Sequence, residues 1–210
     1  MVAHRAGNDL GALRRAEELG ANLVEADVRL YRGRAVVRHL KTIGPIPLYW
    51  DRWTVASPFN RYLRVPELLG QAADETELML DLKGPRRRLS ELVLEELRPY
   101  LGQRPLTVCA RWWRLLETFE GAPVRRIASV GSARELRAVL RRFAERRIDG
   151  VSVHERLLDE ATVADIRRVT ELVLTWPANV PSRARALLEM GVDGLISDRV
   201  DAIAPIVAGR

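Results

Sequence analysis

Short apolar runs alternate with amphipathic stretches from one end of the chain to the other. Eight of these runs have the length of a buried strand, and they occupy residues 2–5, 23–30, 77–82, 106–110, 126–130, 150–153, 171–176 and 193–197. Between them, apolar residues recur at helical spacing, for example in segments 10–19, 89–101, 133–144, 162–169 and 184–190. Repeated units of strand and helix are typical of parallel sheets. The pattern therefore predicts an α/β protein whose eight strands and their helices close a TIM-type (β/α)8 barrel.

Two glycines and the chain length agree with this architecture. Gly20 and Gly191 each stand between a predicted helix and the next strand, where glycine commonly ends a helix in a left-handed conformation. A chain of 210 residues is long enough for one compact barrel. We therefore expect a single domain over residues 1–210.

One segment, residues 32–65, departs from the regular alternation. It begins with an apparent strand at 34–39 and continues into a stretch rich in proline and tryptophan, which includes Trp50 and Trp53. Long connections of this kind carry function more often than short ones. The sequence thus predicts a long loop or hairpin after the second strand.

The composition is that of a globular protein, with 47% hydrophobic and 30% charged residues. No apolar run approaches the roughly 20 residues that a membrane helix needs, and the first residues lack a signal-peptide pattern. We therefore expect a cytoplasmic protein without a transmembrane segment. The single cysteine, Cys109, excludes an intramolecular disulfide.

The net charge of +6 raises the question of a nucleic-acid partner. Arginine supplies nearly all of the positive charge, since Lys41 and Lys83 are the only lysines among 34 basic residues. The arginine clusters at 85–88 and 141–147 contain one aromatic residue, Phe143, so neither has a series of aromatic side chains that could stack on bases. They fit solvated helix faces, so no nucleic-acid partner is expected.

Two carboxylates lie within the second apolar run. Glu25 and Asp27 are two residues apart, so their side chains point to the same face of a strand. Because barrel strands are covered on both faces, the two charges would repel each other unless a cation or a proton lay between them. A hard divalent ion such as Mg²⁺ or Ca²⁺ is the simplest remedy. The alternative is a pair at a strand end, with one carboxylate in a salt bridge and the other exposed.

The third strand carries a similar pair, Asp81 and Lys83, with Leu80 and Leu82 on its other face. Asp81 could be a third oxygen ligand, and Lys83 could pair with it or bind an anion. A plain ion pair between the two side chains is the alternative.

The three histidines all stand at predicted strand ends. They are His4 after the first strand, His39 at the end of the 34–39 strand and His154 just past the sixth strand. Catalytic groups of α/β barrels gather at the C-terminal ends of the strands, and imidazole suits proton transfer near neutral pH. Three histidines at one rim indicate acid–base chemistry there, although His154 alone could equally be structural.

The order and spacing of these residues resemble the signature of the glycerophosphodiester phosphodiesterase family. The resemblance spans nearly the whole chain, and the matching positions are His4-Arg5, Asn8, Glu25-Ala26-Asp27, His39, Asp81-Leu82-Lys83, Trp176 with Asn179, and Gly191-Val192-Asp193-Gly194.

The resemblance implies a metal-dependent hydrolase of lipid metabolism that cleaves small glycerophosphodiesters to an alcohol and glycerol phosphate. Its implied site residues are Glu25, Asp27 and Asp81 for a divalent Mg²⁺ or Ca²⁺ ion, His4 and His39 as the acid–base pair, Arg5 and Lys83 for phosphate oxygens, and Trp176 for the alcohol side. Attack by the substrate's own 2-hydroxyl, through a cyclic phosphate, is also implied.

Several positions depart from the family pattern. Ala6 replaces a glycine, Leu40 an aspartate, Asp81 a glutamate, and Pro177-Ala178 a Thr-Val pair. The Asp-x-Lys strand also resembles the related sphingomyelinase D branch. A lipid-directed phosphodiesterase, with Trp50 and Trp53 as its apolar contact, is therefore one alternative, and a non-catalytic barrel that binds a phosphate ligand is another.

Overall fold

The chain folds into a barrel of parallel strands surrounded by helices. The computed structural model describes residues 1–39, 41–43, 46–51, 54–56 and 62–209, with the backbone alone for 41–56. In chain order, the first elements are β1 (Val2–Ala3), α1 (Leu10–Glu18), β2 (Leu23–Tyr31), β3 (Arg34–Val37), β4 (Lys41–Ile43), β5 (Ile46–Asp51), β6 (Thr54–Ala56), α2 (Val65–Leu69), β7 (Glu77–Lys83) and α3 (Arg87–Leu97). The remaining elements are β8 (Leu106–Ala110), β9 (Arg125–Val130), α4 (Ala133–Arg142), β10 (Gly150–His154), α5 (Glu160–Arg167), β11 (Leu172–Trp176), α6 (Pro181–Glu189), β12 (Gly194–Ser197) and α7 (Val200–Ala208).

Eight parallel strands close the barrel in the part of the chain that the structure describes. β1, β2, β7, β8, β9, β10, β11 and β12 follow one another around it, and the pairings of β1 with both β12 and β2 complete the circle. Each of the eight predicted apolar runs forms one of these strands, with bounds that agree to within two residues. The predicted TIM barrel is confirmed.

Alternation along the strands separates an outer core from an inner one. Val24, Ala26 and Val28 of β2 are fully buried in the large cluster beneath the helices. The inward positions form a second, smaller cluster, which comprises Val2, Met79, Cys109, Ile127, Leu174 and Ile196. This apolar cluster fills the interior of the barrel, and inward-facing polar side chains lie beyond it, at the C-terminal ends of the strands.

Polar caps fix where several helices begin. The side chains of Asp9, Ser132 and Asp159 accept hydrogen bonds from backbone N–H groups in the first turns of α1, α4 and α5. Gly20 and Gly191 have φ angles of 76° and 91°, so both predicted left-handed helix ends are confirmed. One expected helix is missing: a 3-10 segment, Trp113–Phe119, follows β8 in place of an α-helix.

The segment after β2 is a hairpin followed by a small sheet. β2 continues past the barrel to Tyr31, turns at Arg32 and Gly33, which both have positive φ, and returns as antiparallel β3. The predicted hairpin is confirmed, but its second strand ends at Val37, so the prediction of a strand over 34–39 was too long. β4, β5 and β6 then form an antiparallel sheet. The side chains of Trp50 and Trp53 lie outside the described ones.

The described helices include none that is both long enough and apolar enough to cross a membrane.

A tight contact joins the 3-10 turn Ala6–Asn8 to β2. A Cβ atom on Gly7 would lie 2.8 Å from Cβ of Ala26 and 3.1 Å from the backbone oxygen of Glu25. Gly7→Ala should therefore lower the free energy of unfolding by about 1–3 kcal/mol, as overpacking does elsewhere. Urea unfolding followed by circular dichroism measures it.

Gly70→Ala is the matched control. Its Cβ would meet its nearest atom at 3.4 Å, and its φ of −73° suits any residue. This variant should change the free energy of unfolding by less than about 0.5 kcal/mol. Equal losses in the two variants would contradict the close packing of the turn against β2.

Candidate active site

Three carboxylates converge at the C-terminal mouth of the barrel. β2 and β7 are neighbours, and their register places Asp27 beside Asp81, with Glu25 one inward position deeper. One carboxylate oxygen of each of the three side chains lies within 4.8 Å of the others. The structure thus brings together the acidic residues that the sequence pattern singled out, and it rules out the alternative in which one member of the Glu25–Asp27 pair is exposed.

Burial gives the three carboxyl groups different proton affinities. Glu25 is 2% and Asp27 0% exposed. Burial, then the charge of Asp27, raises the pKa of Glu25 well above its usual value, and burial likewise raises the pKa of Asp81. Burial alone would raise the pKa of Asp27 too, but the hydrogen bond with His39 and the charge of Lys83 outweigh it and lower the pKa. Asp27 is therefore the most strongly ionised of the three.

The ammonium of Lys83 lies among the three carboxylates. It contacts Oδ2 of Asp81, lies 2.8 Å from Oδ1 of Asp27 and 4.0 Å from Oε1 of Glu25. Burial would lower the pKa of Lys83, but the surrounding negative charges raise it instead. The Asp81–Lys83 ion pair weighed as an alternative is present, and it extends to the whole cluster.

The turn after β1 forms hydrogen bonds with two of these carboxylates. The backbone N–H of Arg5, which has a left-handed φ of 57°, donates to Oε2 of Glu25 at 2.6 Å. Asn8 donates to Oδ2 of Asp27 and accepts from the Asp27 backbone N–H, both at 2.8 Å. The Arg5 guanidinium is 3.8 Å from Asp27. Backbone and side-chain donors thus fix the orientation of both acids.

His4 and His39 each face a carboxylate through Nδ1. The Nδ1 atom of His39 is 3.0 Å from Oδ2 of Asp27, and that of His4 is 2.7 Å from Oδ1 of Asp198. Asn179 donates to the other oxygen of Asp198 and accepts from its backbone N–H. The hydrogen bond with His4 lowers the pKa of Asp198 to about 2, so this residue is ionised at neutral pH. Both rings are therefore held by an anion.

The third histidine lies at a different part of the rim. His154 ends β10 and packs edge-on against Trp176 of β11, with ring centroids 4.8 Å apart. Its Nδ1 accepts a hydrogen bond from the Arg156 backbone N–H. Burial, together with the charge of Arg156, lowers its pKa. These two rings form an apolar, aromatic part of the mouth.

Two residues of the mouth were missed by sequence reasoning. Arg29 follows Asp27 on the inward face of β2 and lies beside Lys83 in the register of the two strands. The same alternation that identified Glu25 and Asp27 could have found it. Asp198 directly follows β12, so its position at a strand end was the available signal.

One matched motif residue lies far from the mouth. Asp193 precedes β12 and accepts hydrogen bonds from the Val173 backbone N–H and from Arg167. It therefore holds the start of a strand in place, at the opposite end of the barrel from the carboxylates.

The carboxylate cluster fits a hard divalent cation. All three groups offer oxygen atoms, which Mg²⁺ and Ca²⁺ prefer, and they lie close enough to share one ion. Oδ1 of Asp27 is buried, and the Lys83 ammonium lies 2.8 Å from it. The carboxylate oxygens are therefore already arranged around a positive charge, which is the kind of group that they suit.

No protein-family model matches the chain, and neither does any curated protein sequence. Solved structures do match it. A phosphodiesterase from Oleispira antarctica, in complex with the product sn-glycerol-3-phosphate, is 20% identical with a TM-score of 0.77, over 99% of this chain and 96% of that one. A glycerophosphodiester phosphodiesterase from Thermotoga maritima is 21% identical with a TM-score of 0.77, over 98% and 97% of the two chains.

A third match is a glycerophosphodiester phosphodiesterase from Parabacteroides distasonis. It is 18% identical with a TM-score of 0.70, over 100% of this chain and 96% of that one. At such identities the similarity establishes the fold. The resemblance found in the sequence is confirmed at that level, because this chain has the barrel of these phosphodiesterases over nearly its whole length.

Lys83 provides a direct test of the charge balance at the mouth. Lys83→Met keeps most of the side-chain length but removes the ammonium among the acids. In chelator the variant should lose about 3–5 kcal/mol of stability, because buried carboxylates then lack a partner. Added Mg²⁺ or Ca²⁺ should raise the Tm of the variant more than that of the wild type, as measured by differential scanning calorimetry.

Arg88→Met removes an equal charge from an exposed site and should leave Tm nearly unchanged. If neither divalent ion alters the Tm of the wild type or of Lys83→Met, the carboxylate cluster is not a cation site.

Proposed function

We propose that the chain is a metal-dependent phosphodiesterase that hydrolyses glycerophosphodiesters to an alcohol and glycerol phosphate. The observation that carries the proposal is the convergence of three carboxylates, Lys83 and two carboxylate-held histidines at one mouth of the barrel. The barrel it shares with phosphodiesterases of known structure supports the same reaction class, and one of these was solved with sn-glycerol-3-phosphate.

In this proposal Glu25, Asp27 and Asp81 hold one Mg²⁺ or Ca²⁺ ion. The bound ion would offset negative charge on the phosphate oxygens as the transition state forms. Asp81 is shorter than the glutamate typical of the family, and Lys83 directly contacts it. Arg5 and Lys83 are the residues proposed to bind the remaining phosphate oxygens, since each lies beside the carboxylate cluster.

His4 and His39 are the proposed acid–base pair. A carboxylate at Nδ1 fixes the orientation and the tautomer of an imidazole. One ring would take the proton of the attacking hydroxyl. The family resemblance implies that this hydroxyl is the substrate's own 2-hydroxyl. The other would protonate the oxygen of the departing alcohol. This step leaves a cyclic phosphate, which a water molecule would then open to give glycerol phosphate.

Trp176 is proposed to line the side of the site that holds the glycerol alcohol of the substrate, not the leaving alcohol. It ends β11 at the mouth and is half-buried, so its ring can cover the carbon atoms of the substrate. A preference for lipid substrates is not favoured by any described contact, because the side chains of Trp50 and Trp53 lie outside the described ones. A purely binding barrel would not need both histidine–carboxylate pairs.

The remaining proposals concern the setting of the enzyme. We propose one domain over residues 1–210, a cytoplasmic location and no nucleic-acid partner. The arginines at 141–147 support the last point, because Arg142 and Arg146 already pair with Glu117 and Glu120, in and just after the 3-10 segment that follows β8.

The proposal is tested with glycerophosphocholine, glycerophosphoethanolamine, glycerophosphoglycerol and lysophosphatidylcholine as substrates. Glycerol phosphate and the free alcohol should be released from the first three, chelator should abolish the release, and Mg²⁺ or Ca²⁺ should restore it. His4→Ala and His39→Ala should each lower kcat by about 10²–10⁴-fold, since each removes a proton-transfer group, and both should keep the Tm of a folded protein.

His154→Ala is the matched histidine control. This residue contacts Trp176 and no carboxylate of the cluster, so its loss should act mainly on KM. The proposed function is wrong if no diester yields glycerol phosphate with either ion present. The acid–base assignment is wrong if His4→Ala or His39→Ala keeps the wild-type kcat.

A further inference from the structure

A cavity opens between the tip of the β2–β3 hairpin and the loop after β7, beside the carboxylate cluster. Its volume is about 530 Å³. Five of its lining residues are cationic, and no acidic residue lines it in the described part of the chain; the five are Arg29, Arg32, Arg38, Lys83 and Arg86. We refer to this cavity as the hairpin pocket. Such a concentration of positive charge attracts anions.

The hairpin pocket adjoins the candidate active site at Lys83 and Arg29. Lys83 contacts the carboxylates through its ammonium and also lines the pocket. Arg29 faces the mouth beside Lys83, and its Nε donates to the His39 carbonyl oxygen at 3.3 Å. A substrate whose phosphorus lies at the cluster could therefore extend one of its ends into the pocket.

The cations of the pocket differ in how far their charge is already balanced. Lys83 is surrounded by three carboxylates, whereas Arg32 and Arg86 have no carboxylate within 4.0 Å among the described residues. Arg38 lies over the rings of Tyr31 and Tyr62, at 4.5 and 4.9 Å from their centroids. These two rings, which meet edge to face, hold its guanidinium in place. Positive charge thus remains at the pocket wall farthest from the cluster.

The chemistry of the lining indicates the class of ligand, because all five of its charged side chains are cationic. Guanidinium groups bind phosphate and carboxylate oxygens in pairs, so an oxyanion is the ligand that this lining suits best.

We propose that the hairpin pocket binds an anionic group on the leaving alcohol, and that the preferred substrates are diesters whose alcohol carries a phosphate or carboxylate. This proposal rests on the proposed function. The pocket is large enough for a substituted polyol, since ligand pockets commonly measure roughly 300–1,000 Å³. A cationic alcohol such as choline would meet like charge there.

Two substrates of the same skeleton test the proposal. Glycerophosphoglycerol has a neutral leaving alcohol, and the same diester with a terminal phosphate monoester has an anionic one. The wild type should show a kcat/KM at least about tenfold higher for the phosphorylated diester, as expected when one or two charge-assisted hydrogen bonds form in a partly buried site. Glycerophosphocholine should be the poorest substrate.

The double variant Arg32→Asn with Arg86→Gln removes the two positive charges of the pocket that have no carboxylate partner among the described residues. Asparagine tolerates the left-handed φ of 46° at position 32, so the turn should be kept. The ratio of kcat/KM between the phosphorylated and neutral diesters should fall by about tenfold or more. Arg88→Gln removes an equal charge two residues from Arg86, outside the pocket, and should leave the ratio within about twofold.

The outcomes separate this proposal from the proposed function. If the wild type hydrolyses both diesters and the double variant does not change their ratio, the pocket assignment is wrong and the reaction class stands. If the wild type hydrolyses no diester, the proposed function is wrong, and calorimetric titration of glycerol phosphate in chelator decides the pocket. If the double variant binds glycerol phosphate at least about tenfold more weakly than the wild type does, an anion site in the pocket is supported. Equal binding by the two proteins, or no binding by the wild type, would overturn it.

Discussion

Three acidic side chains on two adjacent strands cannot share a buried space in their ionised form unless positive charge lies among them. The mouth of this barrel is arranged around that constraint. Lys83 lies among the carboxylates, while the Arg5 backbone N–H, the Asn8 amide and His39 approach their oxygens from other elements. Because burial raises the cost of each unpaired charge, every one of these contacts matters more here than on the surface.

The constraint also explains why the site draws on distant parts of the chain. β2 and β7 provide the acids, the turn after β1 provides donors, and β3 ends just before His39. His4 is held across the closure of the barrel, since its partner Asp198 follows the last strand. Opening the barrel at the β1–β12 seam would therefore separate a histidine from its carboxylate while leaving the acidic cluster whole.

Local patterns were sufficient to predict much of this arrangement. Spacing of two residues placed Glu25 and Asp27 on one face, and the apolar runs gave all eight strands. The partner of His4 could not be read locally, because 194 positions separate it from Asp198 and only barrel closure brings them together. The 3-10 segment after β8 buries Leu115, Leu116 and Phe119, and apolar residues at this spacing also suit an α-helix, so the local pattern does not distinguish the two forms. The hairpin pocket depends on the register of β2 with both β3 and β7, which composition does not reveal.

The base and the tip of the β2–β3 hairpin have different roles: the base positions His39, and the tip lines the hairpin pocket. At its base, the Arg38 backbone N–H donates to the Asp27 carbonyl oxygen at 2.8 Å, so His39 enters the mouth at a fixed level. At its tip, Arg32 forms part of the wall of a separate cavity. Because strand side chains alternate with a period of two, adding two residues to each arm would lengthen the hairpin without turning His39 away from Asp27. Descendants of this chain could thus acquire deeper or shallower pockets by changes in hairpin length alone, and the proton-transfer residue at the base would keep its place.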